Sequence, residues 1–277
     1  RVGHHTVLTE DEMKFVRFTT PRHAAGTYGL IGQDGAIEVI GGGLLDSPAR
    51  TGEIIREEDI TRYLAPIDPP NIIAIGGNYV AHTAEGNNDQ PKEPPIFIKS
   101  TTSVIAHGDN IVLPMVAPDL VDYEAELCVI IGRTARNVQA EQAMDYVFGY
   151  TCANDVSARD CQWRDGQWAR AKSFDTFCPI GPYVETEPDL GNCHVRMKLN
   201  GEVMQDQPVS DMIFSVPTLV SYISQCMTLL PGTIIVTGTP GGAGFARKPP
   251  VYLRAGDVCE VEIDGIGTLR NTVAAEG

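Results

Sequence analysis

The sequence has no apolar run long enough for a bilayer-crossing helix, and its start lacks the charged-then-apolar pattern of a secretory leader. Its opening, Arg1-Val2-Gly3-His4-His5, is polar. Positive charge is scarce: 21 Lys and Arg stand against 36 Asp and Glu, a formal net charge of -15. Such a surface disfavours nucleic acid and anionic membranes as partners. An anionic small substrate therefore needs a local positive centre. Cysteine is present but unpatterned. An odd count of 7 without a C-x-x-C pair argues against a disulfide framework or a structural zinc site, and fits a reducing cytoplasm. The zinc-protease pattern H-E-x-x-H is missing as well. The Gly-rich turn Val236-Thr237-Gly238-Thr239-Pro240-Gly241-Gly242-Ala243-Gly244-Phe245 has no Gly-Lys-Ser/Thr closing it, so it is no P-loop. Arg247-Lys248-Pro249-Pro250 follows where a dinucleotide fold needs a helix.

What is there suits a globular enzyme-sized chain. Hydrophobic residues make up 43% of 277, enough for a large core. Residues 1–70 read as a small strand-rich domain, with a strand at 14–18 and a hairpin of 28–31 and 36–40 around Gln33-Asp34-Gly35. Ala65-Pro66-Ile67-Asp68-Pro69-Pro70 reads as a linker. The main body, 71–277, opens on the buried-strand signal Ile72-Ile73-Ala74-Ile75. Further strands are expected at 96–99, 124–131, 147–152, 195–199, 234–237 and 259–263, with a hairpin turn at Asn200-Gly201. Helices are few. Residues 141–146 form one candidate, and 217–227 the best, with Leu219, Val220, Ile223 and Met227 at helical spacing. The expected class is α+β with strand predominant.

Glu124 and Glu126 carry the sharpest chemical signal. They sit in Val121-Asp122-Tyr123-Glu124-Ala125-Glu126-Leu127-Cys128-Val129-Ile130-Ile131, and side chains two apart on a strand share a face. Tyr123, Ala125, Leu127, Val129 and Ile131 fall on one face, the two glutamates with Cys128 and Ile130 on the other. Adjacent carboxylates on an apolar strand repel unless a positive centre lies between them, and hard Mg²⁺ or Mn²⁺ would serve. The plainer alternative is an edge strand whose glutamates face water. Asp155 supplies a third carboxylate just past a strand, where a helix is expected to start and to align it with Arg159 and Gln162 on one face. As a capping or turn residue it would be ordinary.

Three further groups could take part. Lys172 lies among small and aromatic residues in Ala171-Lys172-Ser173-Phe174, unlike a solvated lysine. His82 and Glu85 are three apart, so on a short helix the carboxylate can orient the imidazole and raise its basicity. Residues 86–95, polar and rich in Gly and Pro, resemble a mobile lid. The turn around Gly238 and Thr239 can bring backbone N–H groups and a hydroxyl to a carboxylate ligand. A surface ion pair and a structural turn are the ordinary counterparts of these two.

From residue 72 to 272, the order of these segments resembles the fumarylacetoacetate hydrolase family. The motifs are G-x-N-Y-x-x-H-x-x-E at 76–85, D-x-E-x-E-L at 122–127, N-D-x-S-A-R-D at 154–160, K-S-F-D-T-F at 172–177, and the Thr237-Gly238-Thr239-Pro240 turn. The resemblance implies a mixed β-sandwich or β-roll, usually a homodimer, with Mg²⁺ or Mn²⁺ held by Glu124, Glu126 and Asp155. It implies a small anionic 2-oxo acid substrate whose pyruvoyl end meets the metal, with Lys172, Arg159, Gln162, Thr239, Gly238 and Tyr79 around it. His82 with Glu85 would activate a water.

The first expectation is metal-dependent hydrolysis of a C–C bond in an acylpyruvate-like diketo acid, releasing pyruvate. The second is oxaloacetate keto–enol tautomerisation or decarboxylation, or isomerisation of a 2-oxo-diene-dioate, on the same site. Lys92-Glu93-Pro94-Pro95-Ile96-Phe97 and Arg247-Lys248-Pro249-Pro250-Val251-Tyr252 resemble a subgroup that includes oxaloacetate tautomerases. A metal-stabilised binding protein without activity is the third, and the intact set of carboxylates, dyad and lysine argues against it.

Overall fold

The computed structural model describes residues 13–46, 48–86 and 89–277. The polar opening lies outside the described residues, as do Asn87 and Asn88 of the expected lid. Strands dominate, arranged chiefly as a 12-stranded sheet and a 5-stranded sheet. Among the described residues no helix is long and apolar enough to cross a membrane.

The strand Ala125–Ile131 lies inside the larger sheet and is buried at every residue. It pairs antiparallel with Val147–Asn154 on one side and Ile234–Val236 on the other. Its alternation separates two cores, as the sequence pattern predicts. Tyr123, Ala125, Leu127, Val129 and Ile131 enter the larger core, where Val195, Met197, Val261 and Leu269 of the smaller sheet face them. Cys128 and Ile130 enter a second core with Ile72, Ile180 and Ile234. Each large apolar side chain buried here contributes about 1.5–3 kcal/mol. The architecture is thus strand-rich α+β, with two sheets packed face to face over the larger core.

The N-terminal strands join this sheet. Lys14–Thr19 pairs antiparallel with Cys178–Glu185 and with Thr27–Ile31, which in turn pairs with Ile37–Gly41. At the other end of the sheet, Ile72–Ile75 runs antiparallel to Ile96–Lys99, with Ile75 opposite Ile96. The connection between these two strands carries α1 (Val80–Glu85).

Two local expectations are corrected. Glu124 stands just before the strand rather than in it. Its N–H donates to Asn154 Oδ1 (3.0 Å) and its carbonyl accepts from Asp155 N (2.8 Å), so side-chain and turn contacts replace the ladder there. Asp155 does not start a helix either. Ser157–Ala158 first pairs with Val121–Asp122, and only then does α2 (Arg159–Asp165) begin. A short α3 (Ala169–Lys172) follows. The helix expected at 217–227 is α4 (Val216–Cys226), with Pro217 in its first turn; the one expected at 141–146 is a 3₁₀ helix, Ala140–Tyr146.

Candidate active site

Three carboxylates converge at the end of the central strand. Glu124, Glu126 and Asp155 are each buried, and one oxygen from each lies within 4.8 Å of the others. Glu124 and Glu126 keep a common face although only one is in the ladder. Asp155 reaches them from the turn after Val147–Asn154. The donors are all oxygen, the set that hard divalent cations prefer.

Cationic side chains surround two of the three. Lys172 Nζ bridges Glu124 Oε2 (2.6 Å) and Asp155 Oδ2 (2.7 Å). Arg159 Nη2 donates to Glu124 Oε1 (2.6 Å), its Nε to Asp122 Oδ1 (2.7 Å) and its Nη1 to Gln162 Oε1 (2.8 Å). Burial alone would push the Glu124 carboxyl up, but Arg159 and Lys172 outweigh it and hold it below the usual range. Burial pushes Asp122 up to about 6 despite its Arg159 partner. Lys172 is raised, because Asp155 and Glu124 outweigh the opposing effect of burial.

Glu126 is the exception. Among the described residues no Lys or Arg pairs with it; the Gly238 N–H donates to its Oε2 at 2.5 Å. Burial, then Asp155 and Glu124, push its carboxyl well above the usual range. Counting Asp122, Glu124, Glu126 and Asp155 against Lys99, Lys172 and Arg159 leaves one negative charge in excess (4 − 3). A divalent cation reverses that excess to one positive charge, which a substrate carboxylate can balance. The donor set and the charge deficit at Glu126 both fit Mg²⁺ or Mn²⁺.

The imidazole faces the same centre. His82 lies on α1 with Nδ1 3.3 Å from Glu85 Oε2 and Nε2 3.8 Å from Glu124 Oε1. Glu85 is anchored in turn by the Gly242 N–H, 2.6 Å from its Oε1. Phe245 presents its ring edge-on to His82 (centroids 6.1 Å) and lies under the Arg159 guanidinium at 4.4 Å.

A cavity of about 610 Å³ opens onto these groups. His82, Glu124, Glu126, Arg159, Gln162, Lys172 and Thr239 line it, so most of the expected site residues meet in one space. Its other wall is apolar, with Pro91, Pro95, Phe97, Trp163 and Trp168. Trp168 packs so closely on Gly76 that a Cβ there would fall 2.3 Å from its ring. Asp155, Glu85 and Gly238 stand behind the wall and touch it through Lys172, His82 and Glu126. Thr239 spends its hydroxyl proton on Ala125 O (2.9 Å) and accepts from Gln205 (2.8 Å). Tyr79 is placed otherwise than expected. It is fully buried outside the cavity wall, next to Asn78, which donates to Thr237 O at 2.8 Å.

Several participants escaped the sequence reading. Asp122 precedes Glu124 by two positions, so the alternation that paired the glutamates could have found it. Gln205, which donates to Thr239 and accepts from Ala125 N, had no local signal. Nor did Lys99, a fully buried lysine on Asp155.

The fold and the site together define a class of enzyme: a strand-built scaffold with a buried carboxylate triad beside an oriented imidazole. Residues 71–274 match the family described as fumarylacetoacetate (FAA) hydrolase C-terminal, and the chain belongs to the fumarylacetoacetate hydrolase family. It is 45% identical over 216 residues to the mitochondrial oxaloacetate tautomerase fahd2 of Xenopus laevis, covering 76% of this chain and 67% of that protein. A 2-hydroxyhepta-2,4-diene-1,7-dioate isomerase from Mycobacterium marinum superposes with a TM-score of 0.85 at 38% identity, over 96% of this chain and 99% of that one. A fumarylacetoacetate hydrolase from Exiguobacterium antarcticum superposes at 0.86 and 36%, over 95% and 100%.

Proposed function

We propose that this enzyme moves a proton at the carbon next to the 2-oxo group of a small 2-oxo acid, with oxaloacetate keto–enol tautomerisation as its first reaction. The observation that carries this reading is His82 Nε2 standing 3.8 Å from Glu124 Oε1 while its other nitrogen meets Glu85. A base is thereby held at the edge of a carboxylate triad suited to Mg²⁺ or Mn²⁺. The names of the similar tautomerase and isomerase support the same order of preference.

The chain's own groups divide the work. Arg159 and Lys172 offset the carboxylates, so that with a divalent cation bound the cluster would be left one positive charge in excess, enough to draw an anion into a protein of net charge -15. Glu124, Glu126 and Asp155 would hold a divalent cation, whose positive charge would stabilise negative charge developing on a 2-oxo oxygen. His82 takes the proton from the adjacent carbon and returns it to oxygen, Glu85 stabilising the imidazolium between the two transfers. Phe97, Trp163 and Trp168 cover the far side and limit water. The family resemblance adds a homodimer, and the free thiols suit a reducing compartment such as the cytoplasm.

Hydrolytic cleavage of an acylpyruvate is the second reading. It is favoured by the anchored His82–Glu85 pair, which can equally take a proton from water for attack on the distal carbonyl. One preparation tests both: loss of the enol oxaloacetate absorbance and cleavage of acetylpyruvate, each with Mg²⁺ and with EDTA. Metal-dependent enol loss that His82→Ala reduces supports the first. No acceleration over buffer in either assay overturns the proposal.

A further inference from the structure

Lys99 is one of the largest fully buried side chains of the protein, at 1% exposure. It ends the edge strand Ile96–Lys99, opposite Ile72. Its ammonium donates to Asp155 Oδ1 (2.5 Å) and to the Phe177 carbonyl (3.0 Å). The other oxygen of Asp155 is thereby left to face Lys172 and the glutamates, at 2.7 Å from Lys172 Nζ. The next residue is tied in the same direction: Ser100 N donates to Ser173 Oγ at 2.9 Å, one position beyond Lys172. Lys99 itself is not part of the cavity wall, so it does not touch a ligand there.

A charge this deeply buried needs a reason, because an ion pair out of water is poor at stabilising a fold compared with apolar packing. Asp155 already has one cationic partner in Lys172. What Lys99 adds is orientation: it pins one carboxylate oxygen and so determines which one converges with Glu124 and Glu126.

We propose that Lys99 is a positioning residue for the cation site, acting through Asp155. The inference rests on the reading of the three carboxylates as that site. It makes a prediction opposite in sign to simple electrostatics. A nearby ammonium repels a bound cation, so if Lys99 acted only by its charge, removing it would tighten cation binding. If it positions Asp155, removing it weakens binding, as loss of an outer partner of a metal ligand does by about 10–100-fold.

The test titrates Mn²⁺ alone into the EDTA-stripped full chain by calorimetry, with electron paramagnetic resonance of the bound ion in parallel. Lys99→Met keeps the length of the stem and removes the donors. The expected result is a Kd for Mn²⁺ raised by about tenfold or more, with an altered Mn²⁺ spectrum, beside the fall in metal-free melting temperature that follows when a buried carboxylate loses one of its cations. Unchanged or tighter Mn²⁺ binding overturns the proposal. Should Lys99→Met fail to fold, Lys99→Leu, which also lacks a donor, is titrated instead under the same criterion. If the parent chain takes up no Mn²⁺, the cation-site reading fails first and this inference with it. If the parent binds and Lys99→Met binds equally well, only the role of Lys99 falls.

Discussion

The Gly242 N–H and the Glu85 carboxylate meet at 2.6 Å across 157 positions of sequence. The glycine-rich turn thus holds the partner of His82. Gly242 has φ +104°, and a Cβ there would lie 2.1 Å from the Met204 carbonyl. Gly242→Ala must therefore shift the turn and loosen Glu85. Turnover is expected to fall by about tenfold or more as the base loses its orientation, with Mn²⁺ affinity kept. Steady-state kinetics beside a metal titration checks this; parallel losses in both would refute it.

Glu126 is the carboxylate that lacks a cationic side chain. Glu126→Gln keeps the shape and removes the carboxyl whose ionisation burial, Asp155 and Glu124 all oppose. The metal-free variant should melt higher than the parent by about 2–4 °C, the shift that one kcal/mol brings in a chain of this size. It should lose the extra stabilisation that Mg²⁺ gives the parent. Calorimetric scans with EDTA and with Mg²⁺ measure both effects, and a lower melting temperature in EDTA would contradict the charge argument.

Arg159 is buried together with its partners Asp122 and Glu124. Arg159→Met strips Asp122 of its cation and leaves Glu124 with Lys172 alone, a change that costs about 3–5 kcal/mol for a buried pair. Surface pairs such as Arg133–Asp145, 3.7 Å apart and largely exposed, should give almost nothing when broken. Urea unfolding of Arg159→Met and Arg133→Met compares them directly.

His107 offers a pH dependence far from the site. Its Nδ1 accepts the Arg270 N–H (3.2 Å) and its ring packs edge-on against Tyr63 (centroids 5.0 Å). Burial, with a smaller contribution from Arg270, lowers its pKa. The unfolded chain therefore binds the proton more readily, so stability falls as pH drops below about 6.5 and levels off beneath the folded value. In His107→Gln the fall in melting temperature from pH 7 to pH 5 should shrink. An unchanged slope would rule out His107 as its source.

The face of each residue from Tyr123 to Ile131 was legible because alternation is a local property that both cores obey. The family motifs located His82, Glu124, Glu126, Arg159, Lys172 and Thr239 of the cavity wall for the same reason: each motif is read over a few neighbours. Asp155 misled because an Asp before a helix is ordinarily a cap, while here the pairing of Ser157–Ala158 with Val121–Asp122 delays the helix. Lys99 was silent. A lone lysine at a strand end faces water by default, and its burial is created by Asp155 and Phe177, 56 and 78 residues away. Tyr79 sits in a motif that names a residue without stating its depth.

The excursion between Ile75 and Ile96 has a consequence for how such enzymes diversify. Its two ends stand side by side on neighbouring strands, so its length and content can change at little entropic cost. His82 and Glu85 ride on it, whereas the converging carboxylates Glu124, Glu126 and Asp155 belong to the interior behind it. The polar pair on this excursion can thus be exchanged as a cassette while the buried triad stays put, which leaves one scaffold open to more than one chemistry.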